Sequence, residues 1–124
     1  SQTYHWNVVG PLFFSLHHLT EEHYRDLFDA SDALAERVRA LGHPMPAGLN
    51  NILKTSIVKD AQGEMSAEDM IVDLASDHEA VAKRFRAAVE LAEEHNDPVS
   101  ADMLTERIQF HEKAVWMLRA ILTT

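Results

Sequence analysis

Apolar residues recur every three or four positions along three long stretches of the chain, which is the spacing of one face of an α-helix. The first stretch runs from Pro11 to Leu41, the second follows Ser66 and the third begins at Pro98. No stretch alternates apolar and polar residues in the way that a half-buried β-strand does. The pattern predicts an all-α fold built from long helices.

Glycine and proline mark the ends of these helices. Gly10 followed by Pro11 ends a first helical segment and starts the next one, and Gly42 ends the long helix. Residues 1–9 are typical of the last turns of a helix and carry no capping signal before Tyr4. We therefore expect that residues preceding Ser1 exist in the natural protein and supply most of a first helix.

The connection over residues 43–65 predicts one short helix at Leu49–Thr55 and a turn over residues 60–63. Ser66 is a good N-cap for the third helix, because acidic residues follow in its first turn. Asp97 can cap the fourth helix and Pro98 can open it.

Composition narrows the class of protein. The 124 residues are 46% apolar and 25% charged, which predicts a single globular domain over residues 1–124. There is no cysteine, so disulfides and thiolate chemistry are excluded. Neither a membrane-spanning run nor a signal peptide is visible, and the expected compartment is the cytoplasm. The formal charge of −9 disfavours a phosphate-binding surface and is compatible with attracting cations.

Two pairs of metal-competent side chains lie on the second helix, each spaced i, i+4: His17 with Glu21, and Asp32 with Glu36. Each pair projects from one helix face, but the pairs are about 22 Å apart along the axis, too far for one ion. They are symmetric about a point near Asp26 and Leu27. An antiparallel copy of the helix crossing there would bring His17 and Glu21 opposite Asp32 and Glu36 of the partner, in a two-fold dimer with two identical sites.

His5 joins this set if the first two helices form a hairpin around Gly10, because His5 then lies beside His17. Imidazole and carboxylate ligands suit Fe(II), Mn(II) or Zn(II), and iron is our first choice. A solvated acidic face and ordinary core histidines are the alternative interpretation. An intrachain di-iron centre is disfavoured, since none of the eight histidines follows a glutamate by three residues.

Several blocks of sequence carry a resemblance to a known family. The blocks are Tyr4-His5-Trp6-Asn7-Val8-Val9-Gly10-Pro11, Phe13-Phe14-Ser15-Leu16-His17, Asp32-Ala33-Leu34-Ala35-Glu36-Arg37, Ala40-Leu41-Gly42, His111-Glu112-Lys113 and Trp116-Met117-Leu118-Arg119. They resemble the Dps family, the miniferritins or DNA-binding proteins from starved cells, over essentially the whole chain.

The resemblance implies a ferritin-like four-helix bundle with a short helix in the middle connection, assembled as a hollow dodecamer. It implies ferroxidase ligands for iron at the dimer two-folds, matching His5, His17, Glu21, Asp32 and Glu36. Position 21 is often Asp in that family, so Glu21 is a longer variant. Trp6 adjoins His5, and the resemblance implies that it absorbs oxidising equivalents; a packed aromatic residue is the alternative interpretation. A further acidic group could line an iron-entry pore or form a solvated corner: Glu93, Glu94, Asp97, Asp102 and Glu106.

Three functions remain open from the sequence. The first is a ferroxidase that oxidises Fe(II), with hydrogen peroxide as the expected oxidant, and stores the Fe(III) mineral in a protein cage. The second is a nucleoid DNA-binding protein with secondary iron chemistry, in which DNA contact is expected only from terminal residues outside this sequence. The third is a helical structural bundle without a metal.

Overall fold

The fold is all-α, as the hydrophobic pattern predicts. The computed structural model describes residues 1–46, 48–62 and 64–123, and the predicted turn over 60–63 ends on residue 63, which lies outside these ranges. No strand occurs among the described residues. The helices are α1 (Gln2–Asn7), α2 (Phe13–Ala40), α3 (Leu49–Thr55), α4 (Ala67–Glu94) and α5 (Pro98–Leu122).

The turn between α1 and α2 depends on Gly10. Its backbone has a φ of 98°, a left-handed conformation that favours glycine, and its carbonyl accepts the Phe13 N–H at 3.0 Å. α2 therefore begins at Phe13, two residues later than the predicted Pro11. At the other end Gly42 has a φ of 95°, which closes the helix after Ala40. The turn reverses the chain and lays α1 against α2.

The predicted caps of α4 and α5 are both formed. Ser66 Oγ accepts the Asp69 N–H at 3.1 Å, and an Asp97 carboxylate oxygen accepts the Ser100 N–H at 3.0 Å. Asp97 also pairs with Arg37 of α2 at 2.8 Å. Hydrogen bonds from Ser100, followed by Arg37, hold the pKa of the Asp97 carboxyl below its usual value. The Asp97 carboxylate thus both caps α5 and connects α5 to the C-terminal end of α2.

The core lies where α1 and α2 meet the antiparallel pair α4 and α5. Its fully buried side chains include Leu16, Ile71 and Leu118, each 0% exposed. Leu41, which the apolar pattern includes in the second helix, follows the end of α2 and is 50% exposed. Within the described part of the chain, no helix is long and apolar enough to cross a membrane.

The Ser66 cap can be tested by substitution. Ser66→Ala removes the acceptor for the Asp69 N–H and should lower the free energy of unfolding by about 1 kcal/mol. Urea denaturation followed by circular dichroism measures the change. Ser76→Ala, at an exposed position inside α4, is the matched control and should stay within about 0.5 kcal/mol of the native chain. Equal losses in the two variants would contradict the capping role.

Candidate metal centre

The hairpin of α1 and α2 brings His5 and His17 side by side, as the sequence predicts. Their rings are stacked, with centroids 3.8 Å apart and planes 14° from parallel. Each ring also bonds to the backbone of the other residue. His5 Nδ1 donates to the His17 carbonyl at 2.7 Å, and His17 Nδ1 donates to the His5 carbonyl at 2.7 Å. The two imidazoles are therefore fixed in position and in orientation.

These reciprocal bonds determine which ring nitrogens are free. A carbonyl oxygen only accepts, so each Nδ1 must carry the hydrogen. In the neutral rings Nε2 of His5 and Nε2 of His17 then hold the lone pairs. An imidazole whose other nitrogen donates to a carbonyl is the usual form of a metal-binding histidine. The chemistry of this pair therefore fits a divalent metal ion.

Glu21 lies next to the histidine pair. Its Oε1 is 3.9 Å from His5 Nε2, and its other oxygen is 3.8 Å from Arg25 Nε. His5 is buried, whereas Glu21 is half-buried. A carboxylate held this close to a free imidazole nitrogen could share a cation with it. The longer side chain of Glu21, compared with Asp, thus still reaches the imidazole.

Tyr4 anchors the short helix that carries His5. Its hydroxyl donates to Asp73 Oδ2 of α4 at 2.5 Å and lies 3.1 Å from the Met65 sulfur. Burial, together with the bond to Asp73, raises the pKa of the Tyr4 phenol. The phenol stays protonated at neutral pH and keeps α1 attached to α4.

Asp32 and Glu36 form the second element of the candidate site, in the C-terminal half of α2. Both side chains are exposed, and they hydrogen-bond to each other. That bond, followed by like-charge repulsion, raises the pKa of the Glu36 carboxyl. Among the ion pairs of the described residues, neither carboxylate has a Lys or Arg partner, whereas Asp26 on the same helix is paired with Arg107 at 2.6 Å. Asp32 and Glu36 therefore remain available to an external cation.

The two elements do not meet within one chain. In the described ranges, no group of three or more His, Asp and Glu residues could hold a metal ion. His17 and the acidic pair lie on opposite halves of α2, about 22 Å apart along its axis, and His5 lies beside His17 on α1. Each chain therefore carries two separate partial ligand sets.

Trp6 and the second acidic group are placed differently from the ligands. Trp6 follows His5 in α1, and its side chain is 65% exposed. Of the acidic group, Asp97 is occupied by Ser100 and Arg37, while the other members are exposed: Glu93, Glu94, Asp102 and Glu106. Asp97 caps α5 and forms an ion pair with Arg37 of α2. Its role at a pore stays a prediction.

Two aromatic residues contact the histidine pair, and the sequence analysis did not include them among the site residues. Tyr24 meets His5 edge-on with ring centroids 5.2 Å apart, and Phe13 stacks on His17 at 4.8 Å. Their spacing contained the signal, because Phe13 precedes His17 by four residues and Tyr24 follows Glu21 by three, which places both on the ligand face of α2.

Comparisons with known proteins agree with this architecture. The family model of the ferritin-like domain matches residues 2–124. The DNA protection during starvation protein of Brevibacillus brevis is 39% identical over 119 residues, covering 96% of this chain and 80% of that protein. The crystal structure of Dps from Staphylococcus aureus superposes with a TM-score of 0.96 at 37% identity, covering 99% of this chain and 83% of that one.

A Dps protein from Vibrio cholerae O1, described as a member of a broad superfamily of ferritin-like diiron-carboxylate proteins, superposes with a TM-score of 0.90 at 32% identity. That match covers 97% of this chain and 76% of the other. The molecule is thus a ferritin-like helical protein. Within that class, the chain belongs to the Dps family.

The backbone role of the His17 ring gives a prediction. An asparagine amide N–H lies close to the position of Nδ1, so His17→Asn should keep the bond to the His5 carbonyl while removing Nε2. His17→Ala should be less stable than His17→Asn by about 1 kcal/mol, the usual contribution of one hydrogen bond. Urea denaturation of the metal-free protein measures the difference.

His18→Asn, on the exposed neighbouring position, is the control and should change the free energy of unfolding by less than about 0.5 kcal/mol. If His17→Asn were as unstable as His17→Ala, the assignment of Nδ1 as a hydrogen-bond donor would be wrong.

Proposed function

We propose that this chain is an iron-storage ferroxidase of the cytoplasm whose reaction centre forms between two copies of the chain. His5, His17 and Glu21 of one copy would face Asp32 and Glu36 of the other. The observation that supports this most directly is the division of the candidate ligands. Near the N-terminal end of α2, His5 and His17 have free Nε2 atoms, whereas the carboxylates in its other half have no Lys or Arg ion pair among the described residues. Each partial set lacks what the other supplies.

A two-fold axis near the middle of α2 would complete both sites at once. The two sets are equidistant from the point between Asp26 and Leu27, so an antiparallel partner helix crossing there superposes each set on the complementary one. Phe28, next to that point and four residues before Asp32, is 77% exposed and would be covered by a helix crossing there. Further apolar side chains of α3 are exposed: Leu49, Ile52 and Leu53. Burying them would favour association.

The chemistry follows from the donor set. His5 would anchor Fe(II) through Nε2, and Asp32 and Glu36 of the partner would ligate or bridge the iron. His17 and Glu21 would hold a second iron or its water. Carboxylates stabilise the higher charge of Fe(III), which favours loss of one electron by each iron. The balanced reaction is two Fe(II) with one hydrogen peroxide and two protons, giving two Fe(III) and two waters.

Two further steps belong to the same proposal. Reduction of peroxide by two electrons at one centre avoids the release of hydroxyl radical. When only one iron is present, Trp6 beside His5 would give the second electron. The Fe(III) formed would hydrolyse and mineralise inside a closed cage of subunits, and a dodecamer built from the two-fold dimers is the assembly that we propose.

Complementation across the dimer tests the shared centre. One chain carries His5→Asn and His17→Asn, and a second carries Asp32→Asn and Glu36→Gln. Each variant alone has every site broken, whereas a mixed dimer has one intact site and one with all four changes. With equal, random mixing, peroxide-dependent Fe(II) oxidation should recover to about a quarter of the native rate. The measurement is the initial rate on co-refolded subunits, with iron binding followed by calorimetry.

The control pair carries Glu22→Gln and Asp29→Asn, exposed carboxylates of α2 outside the proposed ligand set, and should keep full activity. No recovery in properly assembled mixed particles would disprove an intersubunit centre. Full iron binding by both broken variants would instead favour a helical bundle whose metal chemistry lies elsewhere.

DNA binding is the second candidate function, because the similar protein of Brevibacillus brevis is a DNA protection during starvation protein. The charge of −9 opposes it for residues 1–124, because phosphate contacts need clustered Lys and Arg. We expect no mobility shift of duplex DNA by these residues, even at low salt. A shift that weakens steeply as salt is added would show phosphate-driven binding and would make DNA protection the better assignment.

A further inference from the structure

Three histidines lie inside the bundle, away from the candidate metal centre. His23 of α2, His78 of α4 and His111 of α5 are 4%, 4% and 2% exposed. Ring centroids are 5.2 Å apart for His23 and His78 and 5.0 Å apart for His78 and His111. Phe110 packs edge-on against all three rings. Buried imidazoles in an otherwise apolar core need a specific arrangement of protons to be stable.

The bond between His78 and His111 joins identical atoms. The two Nδ1 nitrogens are 2.8 Å apart, so one must carry a hydrogen and the other must present a lone pair. This arrangement is possible only while the acceptor ring is neutral. A proton added to the acceptor would leave two N–H groups facing each other at hydrogen-bond distance. The contact between α4 and α5 at His78 and His111 therefore requires that one of the two Nδ1 atoms stay unprotonated.

Of the charges around the pair, Asp26 favours protonation of His111, but Arg107 opposes it more strongly. From α5, Arg107 places its guanidinium 4.4 Å from the Phe110 ring centre, and its Nη2 is a buried donor without an acceptor among the described residues. On α2, Asp26 Oδ1 already accepts a hydrogen bond from Arg107 Nη1 at 2.6 Å.

The negative charge of Glu22 favours the protonated form of His23. Burial, then repulsion by His111, lowers the pKa of His78 to about 3. Burial, then Arg107, lowers the pKa of His111 to about 4.

We propose that the His78–His111 pair is an acid-sensitive contact within the bundle, which holds α4 against α5 at neutral pH and loosens them when its second imidazole is protonated. The loosening acts on the interior of each chain and is independent of the metal ligands.

The direction with pH follows from linkage. Both imidazoles have folded-state pKa values below the unfolded value of about 6.5, so the unfolded chain binds more protons at mildly acidic pH. The stability that the neutral His78–His111 pair contributes is fully present above about pH 6.5 and is lost as the pH falls through about 6 toward 4.

A pair of asparagines provides the test in the full, assembled chain. His78→Asn with His111→Asn places an amide N–H and an amide oxygen near the two Nδ1 positions, and neither group titrates. Between pH 7.5 and 4.5 the native chain should lose roughly 1,000- to 10,000-fold more in its folding equilibrium constant than this variant, since each of the two imidazoles contributes a factor of about 100. Urea denaturation at one protein concentration, followed by circular dichroism, gives both values.

His43→Asn with His95→Asn, two exposed histidines, is the matched control and should lose as much stability on acidification as the native chain. Equal losses in the native chain and in the His78/His111 variant would overturn the proposal.

A second measurement applies even if the buried variant fails to fold. Nitrogen-15 NMR of histidine-labelled native protein should show, at neutral pH, one ring protonated and one unprotonated at Nδ1. A native bundle with both rings fully protonated at about pH 5 would overturn the proposal, since the contact would then tolerate the added proton.

Discussion

The paired hydrogen bonds between the His5 and His17 rings and each other's carbonyls are the constraint on which the candidate centre depends. They exist because the Gly10 turn folds α1 back on α2, and because Tyr4 ties α1 to Asp73 of α4. By using Nδ1 for the backbone, they leave Nε2 of both rings for a ligand. One local arrangement therefore closes the hairpin and prepares two donors.

The rest of the proposed reaction centre would be supplied by a second copy of the chain, related by a two-fold axis. His5 and His17 lie at one end of α2, and Asp32 and Glu36, which have no Lys or Arg ion pair in the described part of the chain, lie in its other half. Phe28 near the midpoint of the helix supplies apolar surface where a second copy would cross. If the centre is shared as we propose, reactivity would depend on assembly, because an isolated chain would have neither the full proposed ligand set nor a cage for the product.

Much of this architecture could be predicted from the sequence. The bounds of α3 at Leu49–Thr55, the Ser66 and Asp97 caps and the meeting of His5 with His17 follow from local rules of spacing, glycine and capping. The start of α2 was placed two residues early because Pro11 fits both a turn and a first helical residue. Nonlocal features escaped prediction: Tyr24 against His5, and the His78–His111 bond, which joins residues 33 positions apart. The metal role of the ligands stays a prediction.

The most direct measurement is anomalous diffraction at the iron absorption edge from crystals of the assembled protein soaked anaerobically with Fe(II). The proposal predicts a peak about 2.1 Å from His5 Nε2 of one subunit and within bonding distance of Glu36 of the partner subunit, repeated across each two-fold axis. A peak surrounded by side chains of one chain only, or no peak between antiparallel α2 helices, would contradict the shared iron centre.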